Sequence, residues 1–284
     1  MNNTESIEFK ARERDSWASV ADGWMRRDEL LRKGAEAVTR RMLELADISD
    51  GHYVLDIASG TGEPSISAAR LTGDTGRVIG TDLTEEMLAY AREKARQADV
   101  GNIEFKCVDG ETLDFPENTF DAVTIRWGLM FMPEPVACLQ QAHDVMKDTA
   151  RIAIACWSAP DKNPFVGLLM QSLGEYMELP KPPPGTPGIF AMADPERLHA
   201  TIAAAGFSDI TLEELEIDVL EVPDGQAYWD AISDLAAPVM RLVNQLDDKT
   251  REAYIKDVID AANICKQGKS LCMRGTTWIA AATS

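Results

Sequence analysis

The sequence is poor in positive charge and in cysteine, and both shortages restrict its function. Lysine and arginine number 28 against 47 aspartates and glutamates, so the formal net charge of the 284 residues is −19. An acidic surface of this kind repels phosphate backbones and anionic lipid headgroups. We therefore expect a small-molecule substrate and no nucleic-acid partner.

The five cysteines include no pair spaced as Cys-x-x-Cys. Their odd number and spacing indicate a reducing, cytoplasmic compartment, and no metal site is predicted. The opening stretch "MNNTESIEFKARERD" is too polar for a signal peptide, and no apolar run approaches the length of a membrane span. We expect a cytoplasmic protein without a membrane span.

Short β-rich runs alternate with helical segments through the first part of the chain. Strands are predicted at 53–58, 76–82, 102–109, 120–127 and 151–157, with two more at 209–218 and 276–283. This alternation predicts an α/β fold with a doubly wound, mostly parallel sheet of seven strands and right-handed crossovers. An amphipathic helix precedes the strands, since apolar residues recur at steps of four and three between Leu31 and Leu45.

We divide the chain into four segments of one overall domain: 1–45, 46–157, 158–193 and 194–284. They are interpreted as a helical cap, a cofactor-binding core, a lid or substrate insertion, and the C-terminal part of the sheet with inserted helices. A Pro/Gly stretch inside the third segment is short and flanked by apolar residues, which favours a structured loop over a linker. The inserted helices either cap the site or form the surface of a homodimer.

Three acids end successive predicted strands: Asp56, Asp82 and Asp109. Ligands of open α/β sheets bind beyond the carboxyl ends of the strands, so these acids surround one crevice. Carboxylates there accept hydrogen bonds from an amine, a ribose diol and an exocyclic amine. The loop "ASGTG" after the first strand carries small side chains and lets the backbone approach a ligand closely. A cationic nucleoside without phosphates, such as S-adenosyl-L-methionine, fits this arrangement.

A dinucleotide fits the same loop poorly. The dinucleotide fingerprint G-x-G-x-x-G seats a pyrophosphate on a helix N-terminus. Here Ser65 replaces the third glycine, and Asp56 at the loop entrance would repel a pyrophosphate. A nicotinamide-dependent oxidoreductase is therefore the weaker alternative.

Four stretches in chain order resemble the motifs of class I S-adenosylmethionine-dependent methyltransferases, in the ubiquinone/menaquinone-biosynthesis-like branch that acts on small molecules. They are "VLDIASGTGEPS", "GTDLTEEML", "CVDGETLDFPENTFDAV" and "IRWGLMFM". The resemblance covers about residues 15–160. It implies a Rossmann-like methyltransferase fold with a helical cap or lid. The implied reaction is methyl transfer from S-adenosyl-L-methionine, with S-adenosyl-L-homocysteine as the product.

The resemblance assigns the first two strand ends to the methionine and ribose parts of the cofactor. Asp56 would orient the methionine amino group, and Gly60 and Gly62 would pass close to the cofactor. Asp82 would hold the ribose. Ala58 stands where the family usually has its first glycine, and alanine is small enough to keep cofactor binding.

The next strand ends are assigned to the adenine and to the reacting side. Leu83 and Met87 would flank the adenine, and Asp109 with Gly110 would meet its edge. Arg126 would lie near the methionine carboxylate or the substrate; the alternative is a pair with a surface acid.

Substrate contacts are expected from two variable pieces of the chain. The segment "SWASVADGW" would close over the cofactor with Trp24 near the sulfonium, or would simply anchor the N-terminal helix. Residues 158–193 are rich in Met, Phe and Leu, and aromatic residues such as Trp127 follow the fourth and fifth strands. This composition favours an apolar or aromatic acceptor, methylated on oxygen, nitrogen or carbon.

The catalytic residues are not identified. None of the three histidines, His52, His143 and His199, is placed in the crevice, so no general base is predicted. A non-catalytic protein that binds the cofactor as a sensor remains an alternative, favoured if residues 158–193 fill the crevice. An arsenic-methylating enzyme would need several converging thiols, whereas Cys107 and Cys156 lie in apolar strand-like runs.

Overall fold

Seven strands form one sheet in the order β3-β2-β1-β4-β5-β7-β6 in the computed structural model, which describes residues 3–180, 183 and 185–284. The strands are β1 Tyr53–Ile57, β2 Arg77–Asp82, β3 Ile103–Cys107, β4 Phe120–Arg126, β5 Met146–Trp157, β6 Ser208–Val222 and β7 Leu271–Thr283. Neighbours among β1 to β5 pair in parallel, and β7 pairs antiparallel with β5 and β6. The predicted seven-stranded, mostly parallel sheet is confirmed.

Helices cover both faces of this sheet. Within the described residues they are α1 Asn3–Arg26, α2 Asp28–Leu45, α3 Ser65–Thr72, α4 Glu85–Gln97, α5 Pro135–Val145, α6 Pro164–Leu173, α7 Pro195–Ala204, α8 Gly225–Leu235, α9 Ala237–Val243 and α10 Asp248–Ile264. Helices α3 and α4 contact β2, while α2 and α7 contact β6. Because both faces are covered, the central strands β1 and β4 are buried at most positions.

Strand β6 differs from the central strands because it lies at the edge of the sheet. Its exposed positions carry acids, among them Glu214, Glu216 and Asp218. Charged side chains on an edge strand discourage pairing with another chain. The predicted strand covered 209–218, and the structure extends it to Val222 because β7 continues to pair with it.

The segment 158–193 and the helices near the C-terminus pack on each other. Helix α6 buries Phe165, Val166 and Leu169, and the Tyr228 hydroxyl on α8 donates a hydrogen bond of 2.7 Å to the Phe165 carbonyl. Lys181, Pro182 and Pro184 of the Pro/Gly stretch lie outside the described residues. The division of the chain into four segments stays a prediction.

The described ranges of the chain contain no helix with the length and apolar character that crossing a membrane requires. They also contain no cluster of three or more His, Cys, Asp or Glu side chains arranged to hold a metal ion.

Candidate cofactor site

The loop after β1 turns sharply at the carboxyl ends of the strands. Ala58 and Gly60 have φ angles of 59° and 53°, in the left-handed region where glycine is at ease. Gly60 faces open space, since a Cβ built on it would meet no atom within 4 Å. The Ser59 amide donates to the Thr81 carbonyl at 2.8 Å, which ties this loop to the end of β2. The loop thus presents backbone toward the space above the sheet.

Asp82 at the end of β2 fixes the same loop. Its Oδ2 accepts a hydrogen bond from the Gly60 amide and its Oδ1 from the Thr84 amide, each at 2.9 Å. Burial raises the pKa of Asp82, and the hydrogen bonds from these amides offset only part of that rise. The carboxylate therefore links two strand ends and still borders the cavity above them.

Asp56 lies behind the cavity wall, whereas the sequence predicted that it borders the crevice. Its carboxylate is fully buried and accepts hydrogen bonds from the Ser65 hydroxyl and, at 2.8 Å, from the Thr124 hydroxyl. Desolvation raises the pKa of Asp56 to about 6. Both oxygens are already bonded inside the protein, so the structure makes Asp56 a brace between β1, α3 and β4. Its predicted contact with a methionine amino group stays untested.

A cavity of about 170 Å³ opens above these strand ends. Nine of the eleven predicted cofactor residues line it: Trp24, Ala58, Gly60, Asp82, Leu83, Met87, Asp109, Gly110 and Arg126. The other two lie behind the wall. Asp56 is buried as described, and Gly62 leaves room for the packing of Ile66 and Ala91. The structure thus brings residues from four strand ends into one space.

Arg126 is partly buried at one side of the cavity and is held there by two hydrogen bonds. Its guanidinium donates to the Thr39 hydroxyl at 2.6 Å and to the Glu63 carbonyl at 2.9 Å. Desolvation lowers the pKa of Arg126, and the nearby carboxylates of Glu63 and Asp56 offset only part of that decrease. These contacts place a cation beside the loop after β1, with a hydroxyl and a carbonyl as its hydrogen-bond partners. Its predicted contact with the methionine carboxylate or the substrate stays a prediction.

Trp127 follows Arg126 and forms part of the cavity wall. It has a φ of 59°, which is uncommon for a bulky residue and points to a constrained position. Its ring stacks on Trp157 with centroids 4.5 Å apart, and its indole N–H donates to the Thr277 hydroxyl at 3.1 Å. A rigid aromatic surface therefore borders the cavity beside β4.

Helix α1 forms the opposite wall, which sequence reasoning largely missed. Phe9, Lys10, Glu13 and Trp17 line the cavity together with the predicted Trp24. Positions 10, 17 and 24 are seven apart, so they share one helical face. This spacing could have predicted a cavity-facing side of α1, but the many charged residues of the opening stretch obscure the pattern. Among the described residues of 158–193, none lines this cavity, and the lid assignment of that segment stays a prediction.

Lys10 connects α1 to the strand ends. Its ammonium lies 2.6 Å from Asp109 Oδ2 and 2.5 Å from Glu111 Oε2. Partial burial works to lower the pKa of Lys10, but the hydrogen bonds to the two carboxylates outweigh it, and the pKa is raised. Asp109, predicted to accept from an adenine amine, thus already binds a cation in the structure.

The chemistry of this wall fits an adenosine-type ligand. The Ser59 hydroxyl is buried and has no hydrogen-bond partner among the described residues, which leaves a donor and acceptor for a ligand. Acids border the cavity at Asp82 and Asp109, and Leu83 and Met87 supply apolar surface. No histidine lines the cavity within the part of the chain that the structure describes.

Comparison with known proteins gives a consistent result. The sequence model of a family described as "Methyltransferase domain" matches residues 48–206, which is more than half of the chain. The ubiquinone/menaquinone biosynthesis C-methyltransferase UbiE of Escherichia fergusonii is 34% identical over 149 residues, covering 52% of this chain and 59% of that enzyme. The chain therefore spans less than two thirds of the length of the curated relatives it matches.

Two solved structures share the architecture. The [4+2]-cyclase SpnF has a TM-score of 0.56 at 18% identity, with 87% of this chain and 81% of that chain covered. The phosphoethanolamine N-methyltransferase 2 of Haemonchus contortus, solved in complex with S-adenosyl-L-methionine, has a TM-score of 0.51 at 16% identity, with 87% and 52% covered. At these identities the likeness shows the fold alone.

Proposed function

The chain belongs to the methyltransferase family whose domain matches residues 48–206, and on that basis we propose that it transfers a methyl group from S-adenosyl-L-methionine to a small apolar or aromatic molecule. The observation that carries the proposal is one cavity with two kinds of lining. Acids and open backbone border it at the strand ends, and aromatic rings border it beside β4 and α1.

The strand-end half of the cavity is the proposed cofactor half. Asp82 would accept hydrogen bonds from the ribose hydroxyls, because its oxygens keep lone pairs beyond those used by the two amides. Leu83 and Met87 would pack on the adenine. Asp109 and Gly110 would meet its polar edge, next to the ammonium of Lys10.

The aromatic half is the proposed acceptor half. Trp127 and Phe131 lie beside β4, and Trp17 reaches them from α1, with the Trp17 and Phe131 rings 5.3 Å apart. The cofactor supplies an activated methyl group when bound. The residues of this chain orient the acceptor and exclude water around it. Apolar rings perform both roles for a molecule of similar polarity.

A non-catalytic cofactor-binding protein is the second candidate. Its sign would be an acceptor half filled by the protein's own chain, for example by residues 158–193. Within the described residues that segment does not line the cavity, which supports catalysis. The nicotinamide alternative is weakened because Ser65 replaces the third glycine of the dinucleotide fingerprint.

The test uses methyl-labelled S-adenosyl-L-methionine with fractionated small-molecule extracts, and the Asp82→Ala variant as the blank. We expect label in an organic-soluble product with the wild-type chain alone. Calorimetry with S-adenosyl-L-homocysteine and with NADH separates the candidates. Binding of NADH in preference to the homocysteine compound would overturn the proposal. Cofactor binding with no label transferred to any fraction would favour the sensor.

We extend the proposal to location and assembly. The five cysteines are free thiols in the structure, which supports a reducing compartment such as the cytoplasm. A homodimer through residues 224–265 stays a prediction. Sedimentation at several concentrations would test it.

A further inference from the structure

Glu13 is a buried carboxylate on the cavity wall with one oxygen still available. Only 9% of the residue is exposed, and its side chain lines the cavity from α1. Arg241 Nη2 on α9 donates to Glu13 Oε1 at 3.2 Å. No donor among the described residues reaches Oε2. Because Oε2 is accessible to solvent and keeps its lone pairs, it is available to a ligand in the cavity.

Aromatic rings flank Glu13 on the same helical face. Phe9 and Trp17 are each four residues away, hence one turn above and below. Trp17 makes edge-to-face contacts with Phe131 at 5.3 Å and with Trp24 at 5.8 Å. On the other side Lys10 binds Asp109, so Glu13 lies between the adenine end and the aromatic end of the cavity.

The charge of the cavity favours a cation there. Five carboxylates line it against two cations, Lys10 and Arg126, and Arg241 behind the wall compensates one more, which leaves a formal excess of two negative charges. S-adenosyl-L-methionine adds one net positive charge and leaves one negative charge uncompensated. In a partly desolvated cavity an anionic acceptor would be repelled, and an ammonium would be attracted by carboxylates and by ring faces.

We propose that the acceptor is an aromatic amine whose protonated amino group binds Glu13 Oε2 and whose ring packs beside Trp17 and Phe131. The inference rests on the proposed function, because it assumes that the cofactor occupies the strand-end half. Glu13 is then a substrate-binding residue, and the lining charge sets specificity against carboxylates and phosphates.

The test is calorimetry on the full chain saturated with S-adenosyl-L-homocysteine, with three probes that share one ring. Tryptamine is a cation, 3-methylindole is neutral and indole-3-acetate is an anion. We expect tryptamine to bind at least about tenfold more tightly than indole-3-acetate, from the usual strength of a hydrogen bond between charged groups. Equal or tighter binding of the anion, or no binding of tryptamine, would overturn the inference.

Variants then assign the effect to one side chain. Glu13→Gln should weaken tryptamine about tenfold and leave 3-methylindole unchanged. Glu8→Gln is the matched control, because Glu8 lies on the exposed face of the same helix. Arg241→Met keeps the Glu13 charge while removing its protein partner, so tryptamine should bind at least as tightly as to the wild type. Weaker tryptamine binding in Arg241→Met, or none lost in Glu13→Gln, would overturn the assignment.

Failure of this inference is distinguishable from failure of the proposed function. If S-adenosyl-L-homocysteine does not bind, the cofactor assignment is wrong and the inference loses its premise. If it binds and tryptamine does not, the methyltransferase proposal stands and the aromatic-amine inference is wrong.

Discussion

The two walls of the cavity are held in place by different interactions. The strand-end wall is fixed by buried hydrogen bonds, many of them to backbone, such as those from the Gly60 and Thr84 amides to Asp82. The α1 wall is fixed by side chains near the surface. Lys10 binds Asp109, the Tyr90 hydroxyl donates to Asp22, and Arg26 pairs with Asp234 at 2.6 Å.

This difference indicates which wall moves. Buried hydrogen bonds are little affected by salt, whereas partly exposed ion pairs contribute about 1 kcal/mol or less each and are screened. Helix α1 should therefore separate from the strand ends at a lower free-energy cost than the strand-end loops rearrange.

The largest effect is expected from Asp82→Ala. The change leaves the Gly60 and Thr84 amides without their acceptor and removes the proposed acceptor of the ribose hydroxyls. We expect a loss of about 4 kcal/mol in binding of S-adenosyl-L-homocysteine, roughly a thousandfold. Calorimetry measures it, with Asp74→Ala on an exposed loop as the control. Unchanged affinity in Asp82→Ala would remove the strand-end wall from the cofactor site.

A smaller effect concerns stability and pH at Asp56. Its folded pKa of about 6 lies above the ordinary value of 3.8, so between these pH values the folded state holds the proton more tightly than the unfolded state. Stability is therefore greatest below pH 4 for this group and falls as pH rises through 6. The loss is up to about 3 kcal/mol.

Asp56→Asn should remove that part of the pH dependence, because an amide does not ionise. Urea unfolding between pH 4 and 8 measures it. Asp144→Asn, at an exposed position, should retain the wild-type profile. If Asp56→Asn also retains it, the folded pKa of Asp56 is not raised above that of the unfolded state.

The strand-end wall could be predicted from the sequence for a physical reason. Each of Asp56, Asp82 and Asp109 follows a short apolar run, and parallel strands bring their carboxyl ends to one edge. The pattern could not predict how deeply each carboxylate is buried. Whether a carboxylate faces the cavity or the core depends on partners such as Thr124, which is 68 positions from Asp56 in the chain.

The α1 wall was harder to predict because its stability comes from docking. Residues 3–15 mix charges of both signs and show no continuous apolar stripe, so the sequence predicted a helical cap over 1–45 without indicating which of its side chains face the cavity. The helix forms against α4 and α8, far along the chain, and Gly23 fits against the backbone of Asp234. Lys10 and Glu13 look like surface charges in the sequence, and only tertiary packing turns them toward the cavity.

Lys10→Met tests whether α1 is the movable wall. The variant keeps the length of the side chain but leaves Asp109 and Glu111 facing each other without a cation. We expect S-adenosyl-L-homocysteine to dissociate about three to ten times faster, as for the loss of about 1 kcal/mol of ion pairing. Stopped-flow fluorescence of the cavity tryptophans measures this rate.

The ionic strength of the solution provides a second test of the ion pairs that hold α1. In the wild type, raising ionic strength should accelerate dissociation, and in Lys10→Met most of that dependence should disappear. Lys33→Met removes an exposed ion pair with Glu221 elsewhere and is the control. If the dissociation rate changed neither with salt nor in Lys10→Met, the ion pairs would not be what holds α1 against the strand ends.

The smallest effect is expected inside the rigid wall, at Ala58. Alanine with a φ of 59° is strained by about 1 kcal/mol, whereas glycine adopts this conformation freely but costs backbone entropy on folding. Ala58→Gly should therefore raise the free energy of unfolding by about 0.5 kcal/mol. Cofactor affinity should change less than about threefold, because the methyl group makes no hydrogen bond.

Gly128 explains how the wall accommodates that alanine. A Cβ built on Gly128 would lie 2.4 Å from the Ala58 Cβ, so the two positions cannot both carry a methyl group without movement. Gly128→Ala alone should destabilise by about 1–3 kcal/mol, and adding Ala58→Gly should recover most of that loss. Urea unfolding of the four combinations measures the coupling. If the changes in the free energy of unfolding were strictly additive, each loop would relax without affecting the other. The strand-end wall would then be less rigid than its hydrogen bonds indicate.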